Sequence, residues 1–200
     1  MSRGMKACLS GLVIVSITWF GRDVWLGAVG RYLTSTGGGA TSSADFAVVP
    51  PADYIRPDVG METLEEAVRL QRGGSVKRIV MSCREFYGVS EYELAETALR
   101  SRGYLGARIE WLRTEPLPDE MEAVKTIQYL RERGAKSAII LLPNYKVRRL
   151  GRVYRRLGSQ SEIEVTVSRQ NREFDPQRWW RSREGQKRFV EELVRLTRLL

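Results

Sequence analysis

Two cations stand where they could bind an anion. Lys146 and Arg149 follow the apolar run Ser137–Leu142 and lie in the first turns of a helix predicted to begin at Asn144. The helix dipole disfavours positive charge at that end, and a bound anion would reverse the penalty. We therefore predict that Asn144, Tyr145, Lys146 and Arg149 contact an anionic ligand.

The charge of the whole chain is concentrated in the same region. Six cations and no acid lie between Lys146 and Arg156, and with the Ser159–Arg188 stretch they contribute +8 of the net charge of +9. A solvated basic helix face is the alternative interpretation for Arg152, Arg155 and Arg156.

The composition excludes several kinds of chemistry. The 200 residues contain no histidine, which rules out a Ser-His-Asp triad, a Cys-His pair and His-ligated zinc. Cys8 and Cys83 are too few for a four-cysteine metal site, and their distance in sequence makes a disulfide improbable. Cys83 is more simply interpreted as a small buried apolar residue. The dinucleotide and Walker A fingerprints are absent, so the sequence predicts neither a metal nor a particular cofactor.

Two carboxylates are candidate acid–base or ligand-binding groups. Glu91 and Glu122 lie in the first turns of predicted helices, where they could bind a ligand hydroxyl or a divalent cation, or transfer a proton. Acids in those turns also simply complement the helix dipole, and this alternative stays open. Asp53 and Ser82, which follow the first two predicted strands, complete the candidate ligand set.

These residues need a sheet to bring them together. Short apolar runs alternate with segments of helical spacing five times, which predicts an α/β domain with a doubly wound, mainly parallel five-stranded sheet of the Rossmann-like kind. In such sheets ligands bind outside the carboxyl ends of the strands. The predicted strands are Phe46–Val49, Arg78–Met81, Arg108–Leu112, Ser137–Leu142 and Ile163–Val167.

Local signals place the helix ends. Ser90–Glu93 reads S-E-Y-E, a capping box that opens a helix ending at Gly103. Gly134 ends the next helix, and Asn144 is a candidate cap for the one after it. A last amphipathic helix is predicted over Glu184–Leu200, with Trp179 and Trp180 packing against it.

The amino-terminal segment has the character of a membrane anchor. Ala7–Phe20 carries no charge and follows Arg3 and Lys6. Its length also fits a cleaved signal peptide or a buried helix, but the aromatic residues after it favour an anchor. The positive-inside rule then predicts a single pass, with the amino end in the cytoplasm and the rest of the chain outside it.

The chain divides accordingly into three parts. We predict an anchor and juxtamembrane segment over residues 1–33, a Gly/Ser/Thr-rich linker over 34–44, and a folded domain over 45–200. The last part is long enough to bury a core without disulfides.

Several motifs, in order, are similar to those of a known family. They are IVMS at Ile79–Ser82, SEYE at Ser90–Glu93, DEMEA at Asp119–Ala123, LLPNYKVRRL at Leu141–Leu150, and WWRSREG at Trp179–Gly185 followed by Glu191–Glu192. Asp45–Leu200 thereby resembles the SanA/YdcF/ElyC-like family of bacterial envelope domains. The resemblance implies an envelope setting and, in two branches, an N-terminal membrane segment. With the predicted topology, it implies a single-pass protein of the bacterial inner membrane whose folded domain lies on the periplasmic side.

Two departures from the family pattern shift the expected chemistry. The family's Gly-rich first loop is here Pro50-Pro51-Ala52-Asp53, and the family's histidine is here Lys146. Two prolines remove backbone donors, and a lysine is a poor general base unless its pKa is strongly lowered. The sequence therefore favours anion contact at Lys146 over proton transfer.

Two functions remain open at this point. One is an enzyme or enzyme relative that binds or processes an anionic envelope metabolite, such as a lipid-carrier phosphate or a cell-wall precursor. The other is a non-catalytic binding or assembly factor that has lost the Gly loop and the histidine. Nucleic-acid binding is not expected, because it needs a cytoplasmic domain and a stacking platform that the chain lacks.

Overall fold

The computed structural model describes residues 21–35, 43–50, 57–83, 85–86, 89–104, 106–107, 109–115, 117–170 and 174–197. Three predicted features fall outside these ranges: the anchor segment Ala7–Phe20, most of the linker, and Asp53.

Five strands form one parallel sheet, as the alternation of elements predicts. The strands are β1 (Ala44–Val49), β2 (Val76–Cys83), the short β3 (Glu85–Phe86) and β4 (Val89–Ser90), β5 (Ile109–Arg113), β6 (Ser137–Pro143) and β7 (Glu164–Gln170). The sheet order is β5-β2-β1-β6-β7, and every neighbouring pair is parallel. β3 and β4 pair with each other as a small antiparallel hairpin, which the sequence analysis did not predict.

Helices cover both faces of the sheet. They are α1 (Arg22–Thr34), α2 (Pro57–Arg72), α3 (Glu91–Ser101), α4 (Asp119–Glu132), α5 (Val147–Gln160) and α6 (Arg183–Thr197). One buried cluster joins the sheet to α2 and α3, and a second joins its opposite face to α4 and α5. The chain is therefore an α/β domain.

The alternation of side chains along β1 explains the two layers. Phe46 and Val48 belong to the cluster under α4 and α5, whereas Ala47 and Val49 belong to the cluster under α2 and α3. All four are fully buried, as expected for a central parallel strand that is covered on both faces.

Most helix ends follow the signals in the sequence. Ser90 caps α3 by accepting a 3.1 Å hydrogen bond from the backbone N–H of Tyr92. Gly103 and Gly134 follow α3 and α4 with φ of 79° and 68°, in the left-handed region that favours glycine. The prediction for Asn144 is wrong, because it starts a 3₁₀ turn (Asn144–Lys146) and makes no side-chain cap; Lys146 is the residue that precedes α5.

The helix α1 packs against the α/β domain. The indole Nε1 of Trp179 donates a 3.0 Å hydrogen bond to the carbonyl of Leu26. Arg148, on α5, donates to the Tyr32 carbonyl at 3.2 Å, and its guanidinium lies 3.3 Å from the centre of the Tyr32 ring. The predicted division grouped residues 22–33 with the anchor, but these contacts join α1 to the folded domain.

None of the helices within the described residues has the length and apolar character to cross a bilayer.

A close backbone approach fixes α1 in place, and it generates a stability prediction. A Cβ on Gly30 would lie 2.1 Å from the carbonyl oxygen of Pro176, whereas a Cβ on Gly27 would meet only the ends of long side chains. We expect Gly30→Ala to lower the free energy of unfolding by about 1–3 kcal/mol through overpacking. Gly27→Ala should leave it unchanged or raise it by up to about 1 kcal/mol through helix propensity. Urea unfolding of both variants checks this; equal stabilities would contradict the docking of α1.

Candidate strand-end site

The side chain of Arg149 is fully buried at the start of α5. Its Nε donates to Glu192 Oε1 at 2.6 Å, and its Nη2 donates to Glu192 Oε2 at 3.2 Å. Glu192 comes from α6 and is itself 1% exposed. This is the two-point geometry in which a guanidinium binds a carboxylate most strongly.

Two further carboxylates reach the same guanidinium from the first turn of α4. Arg149 Nη2 donates to Asp119 Oδ2 at 2.6 Å, and Nη1 donates to Glu120 Oε1. Asp119 and Glu120 occupy the helix end where the dipole favours negative charge. All three nitrogens of the guanidinium are therefore used within the protein.

Two more cations balance these acids. Lys146 Nζ lies 3.4 Å from Asp119 Oδ1, and Arg195 Nη1 lies 3.1 Å from Asp119 Oδ2. We call the six residues the Arg149 network: Asp119, Glu120, Lys146, Arg149, Glu192 and Arg195. With three cations and three acids it carries no net charge, and it ties α4, α5 and α6 together.

The network changes the pKa values of its members. Burial opposes ionisation of Asp119, but Lys146 and Arg149 outweigh it and hold the pKa of that carboxyl below its usual value. Burial likewise works against the charge of Arg149, but Glu192 and Asp119 raise the pKa of its guanidinium further. Burial raises the pKa of Glu192 above its usual value although Arg149 opposes the rise.

The anion predicted at the start of α5 is therefore supplied by the chain itself. Lys146 and Arg149 do occupy the unfavourable end of the helix dipole, but carboxylates from α4 and α6 offset the penalty. Four of the five N–H donors of Arg149 are taken by carboxylates of the chain and its side chain is fully buried, so contact of Arg149 with an external anion stays a prediction.

Two other predicted residues do present buried polar atoms at the carboxyl edge of the sheet. Ser82 and Asn144 are 0% and 1% exposed, and Ser82 Oγ and Asn144 Oδ1 have no hydrogen-bond partner in the described part of the chain. The Asn144 amide nitrogen donates to the carbonyl of Phe174 at 2.6 Å, which fixes the orientation of its side chain. We call Ser82 and Asn144 the strand-end pair.

The register of the sheet places the strand-end pair on either side of β1. Val49, the last residue of β1, pairs with Met81, so Ser82 is level with the point where the chain leaves β1. Asn144 directly follows β6, the neighbour of β1 on its other side. Since β2 and β6 are two strand spacings apart with β1 between them, the pair lies about 10 Å apart across the end of β1.

Tyr145, which the sequence predicts as a ligand contact, and Trp179 pack together beside the site. Tyr145 is buried with Phe174 and Trp179, so its ring belongs to a small aromatic cluster. Trp179 also stacks on Phe189 of α6 at 3.8 Å between ring centroids, which confirms the predicted packing against the last helix for Trp179.

The two candidate acid–base carboxylates come from helices in different layers of the fold. Glu91 begins α3 and Glu122 lies on α4, and these helices cover opposite faces of the sheet. Glu122 is 2% exposed and accepts a 3.2 Å hydrogen bond from Thr114 Oγ1.

The lone described cysteine is chemically inert. Cys83 is a free, buried thiol whose pKa is raised to about 12 by burial, with a smaller contribution from Glu91. A thiol with that pKa is almost entirely protonated at neutral pH, so it lacks the thiolate needed for nucleophilic attack. This agrees with the interpretation of Cys83 as a small apolar residue.

Sequence reasoning missed four members of the Arg149 network: Asp119, Glu120, Glu192 and Arg195. The acids at the start of α4 carried a signal, since three of them occupy its first turn. Nothing in the sequence joined them to a cation 30 residues further on.

Fold and site together define an α/β domain with a parallel sheet and a pair of buried polar groups at the carboxyl ends of its strands. No family model and no curated protein matches the chain, so its resemblance to the SanA, YdcF and ElyC proteins stays a prediction. Among solved structures, it is similar to a universal stress protein family member from Burkholderia pseudomallei. The identity is 17% and the TM-score 0.34, over 66% of this chain and 98% of that one. A likeness at this level carries no argument about function.

Removal of Arg149 tests the network. We expect Arg149→Ala to lower the free energy of unfolding by about 3–5 kcal/mol, because it leaves the buried Glu192 carboxylate without its partner. A double variant, Arg149→Met with Glu192→Leu, should recover most of that loss, since it removes both charges. Arg152→Ala, an exposed arginine one turn further on, should change it by less than about 0.5 kcal/mol. Urea unfolding measures all three; an Arg149→Ala variant as stable as the parent would contradict the network.

The lowered pKa of Asp119 predicts a pH dependence. Because its pKa in the fold lies below the ordinary value of 3.8, Asp119 stabilises the fold above that pH, and the contribution is lost as the pH falls through the folded pKa. We expect Asp119→Asn to cost about 1–3 kcal/mol at pH 7 and progressively less below pH 3.8. Glu132→Gln, at the other end of α4, is the control for loss of a carboxylate. A penalty that grows on acidification would show that Asp119 is not held in its charged form.

Proposed function

We propose that the chain is a cell-envelope protein that binds an anionic metabolite, without converting it, in the crevice between the carboxyl ends of β1 and β6. The strand order supports a Rossmann-like, doubly wound interpretation of the sheet, because the chain builds outward from β1 to β5 and then from β6 to β7. In sheets of that kind the ligand crevice lies where the direction of winding reverses, which here is between β1 and β6.

The observation that carries the proposal is the strand-end pair. A buried hydroxyl or amide oxygen without a partner costs about 1–3 kcal/mol, so native proteins seldom keep one that has no role. Within the described part of the chain, Ser82 Oγ and Asn144 Oδ1 are two such atoms, and they flank the end of the same strand. A ligand with hydroxyl or N–H groups satisfies both, and Ser82 can also donate to a phosphate oxygen.

The charge around the crevice favours an anion. Arg113 and Arg169 lie at the carboxyl ends of β5 and β7 and are exposed, and Lys146 keeps 14% of its side chain accessible beside Asn144. The chain carries a net charge of +9, which attracts anionic metabolites over longer distances. A lipid-carrier phosphate and a nucleotide-linked cell-wall precursor share the required phosphate group.

Among the described residues, the state of three potentially reactive groups favours binding without turnover. The Cys83 thiol is protonated, Asp119 is bound by three cations, and Glu122 is enclosed by α4 and Thr114. General acid–base work needs a group that reaches the ligand with a pKa near the working pH. We therefore favour the binding or assembly factor over the enzyme.

The test uses the full chain in detergent, titrated with a polyprenyl phosphate, the matching polyprenol and a uridine-diphosphate-linked muramyl precursor. We expect one phosphate-bearing probe to bind and the polyprenol to bind at least tenfold more weakly, because it lacks the charge. Ser82→Ala should weaken binding about fivefold through one lost hydrogen bond, and should leave the fold equally or more stable because the unpaired hydroxyl is gone.

Ser137→Ala is the matched control. Ser137 lies at the opposite, amino end of β6, and its hydroxyl accepts a 3.1 Å hydrogen bond from the backbone N–H of Asp45. Its loss should cost about 0.5–1.5 kcal/mol of stability and leave the affinity unchanged. The proposal is wrong if neither phosphate probe binds, or if Ser82→Ala and Ser137→Ala bind the probe equally well.

A further inference from the structure

The helix α1 presents an apolar surface to solvent. Val24, Trp25 and Tyr32 are 72%, 65% and 54% exposed, and Ala28 between them is also exposed. At 3.6 residues per turn, positions 24, 25, 28 and 32 fall on one side of the helix. We call these four residues the outer face of α1.

The opposite side of α1 is apolar as well. Gly27, Gly30 and Leu33 are buried against the domain, and the Leu26 carbonyl holds Trp179. A surface helix of a water-soluble domain normally turns charged and polar residues to the solvent. Arg22, Asp23 and Arg31 are exposed on α1 and give it a net charge of +1, but the outer face between them is apolar, so α1 has the composition of a helix that lies between the domain and a second apolar phase.

The position of α1 relates it to the candidate site. It contacts the 3₁₀ turn Asn144–Lys146 and the start of α5, both at the carboxyl edge of the sheet. The outer face therefore lies at the end of the molecule that holds the strand-end pair.

The adjoining sequence identifies the second phase. The uncharged run Ala7–Phe20 directly precedes Gly21, and Val24 and Trp25 follow in the first turn of α1. Arg22 and Arg31 are exposed on the same helix and complement anionic headgroups. Tryptophan and arginine beside aliphatic residues are typical of helices that lie in the plane of a membrane interface.

We propose that the outer face of α1 lies in the interface of an anionic lipid bilayer and turns the carboxyl edge of the sheet toward the lipid. This proposal extends the proposed function and rests on its membrane setting, but it does not depend on which ligand binds. It makes a membrane-resident anion the ligand class best suited to the crevice, because such a ligand reaches the strand-end pair without leaving the lipid surface.

Spin labels on the full chain test the proposal. A Cys8→Ser background leaves the buried Cys83 as the remaining native thiol. In this background the spin label is attached at Val24→Cys or Ala28→Cys. The protein is then reconstituted into vesicles of phosphatidylethanolamine and phosphatidylglycerol. Leu94→Cys is the matched control, since Leu94 is 61% exposed on α3, at the other face of the sheet. We expect labels at 24 and 28 to collide more often with oxygen and less often with a water-soluble nickel chelate than the label at 94.

Each other outcome overturns the proposal. Equal access of the nickel chelate to positions 24, 28 and 94 shows an outer face in water. Protection of 24 and 28 from both reagents shows that protein covers the face, either a second copy or residues 1–20. The accessibility of the labels does not depend on polyprenyl phosphate binding. If the labels contact lipid but polyprenyl phosphate does not bind, only the proposed ligand is rejected. If polyprenyl phosphate binds but the labels do not contact lipid, only the proposed membrane contact of α1 is rejected.

Discussion

The guanidinium of Arg149 is removed from solvent and held by carboxylates from two other helices. An arginine in that position costs several kcal/mol of desolvation, and the fold compensates only if each donor finds an acceptor in good geometry. Glu192 must then come from α6, and Asp119 and Glu120 from the first turn of α4. The first turns of α4 and α5 and the middle of α6 are thus held together by one cation at the carboxyl edge of the sheet.

This constraint separates two kinds of polar residue that share one edge of the sheet. Members of the Arg149 network satisfy one another, so they stabilise the edge and present little to a ligand. Ser82 and Asn144 belong to no such network, and the amide of Asn144 is oriented by the Phe174 carbonyl while its oxygen stays free of described partners. The network therefore stabilises the edge, and the strand-end pair is the part that we propose contacts a ligand.

Sequence patterns predicted those features of the fold that depend on residues close together in the chain. The apolar run Ser137–Leu142, the Ser90 cap and the glycines after α3 and α4 each specify structure within a few positions, and these predictions hold. The partners of Arg149 and the docking of α1 on Trp179 depend on contacts across 30 to 153 residues. The excess of cations after Lys146 indicated the need for an anion, but not that the chain provides it.

The same distant contacts connect α1 with the crevice. Leu26 of α1 and the indole of Trp179 are joined by a hydrogen bond, and Trp179 packs in one cluster with Tyr145 and Phe174. The Phe174 carbonyl in turn receives the amide of Asn144. Displacement of α1 would therefore act on Asn144 through the packed rings of Trp179 and Phe174 and the Phe174 backbone carbonyl. If the outer face of α1 lies in the lipid interface as we propose, these contacts connect the lipid surface with the proposed ligand site.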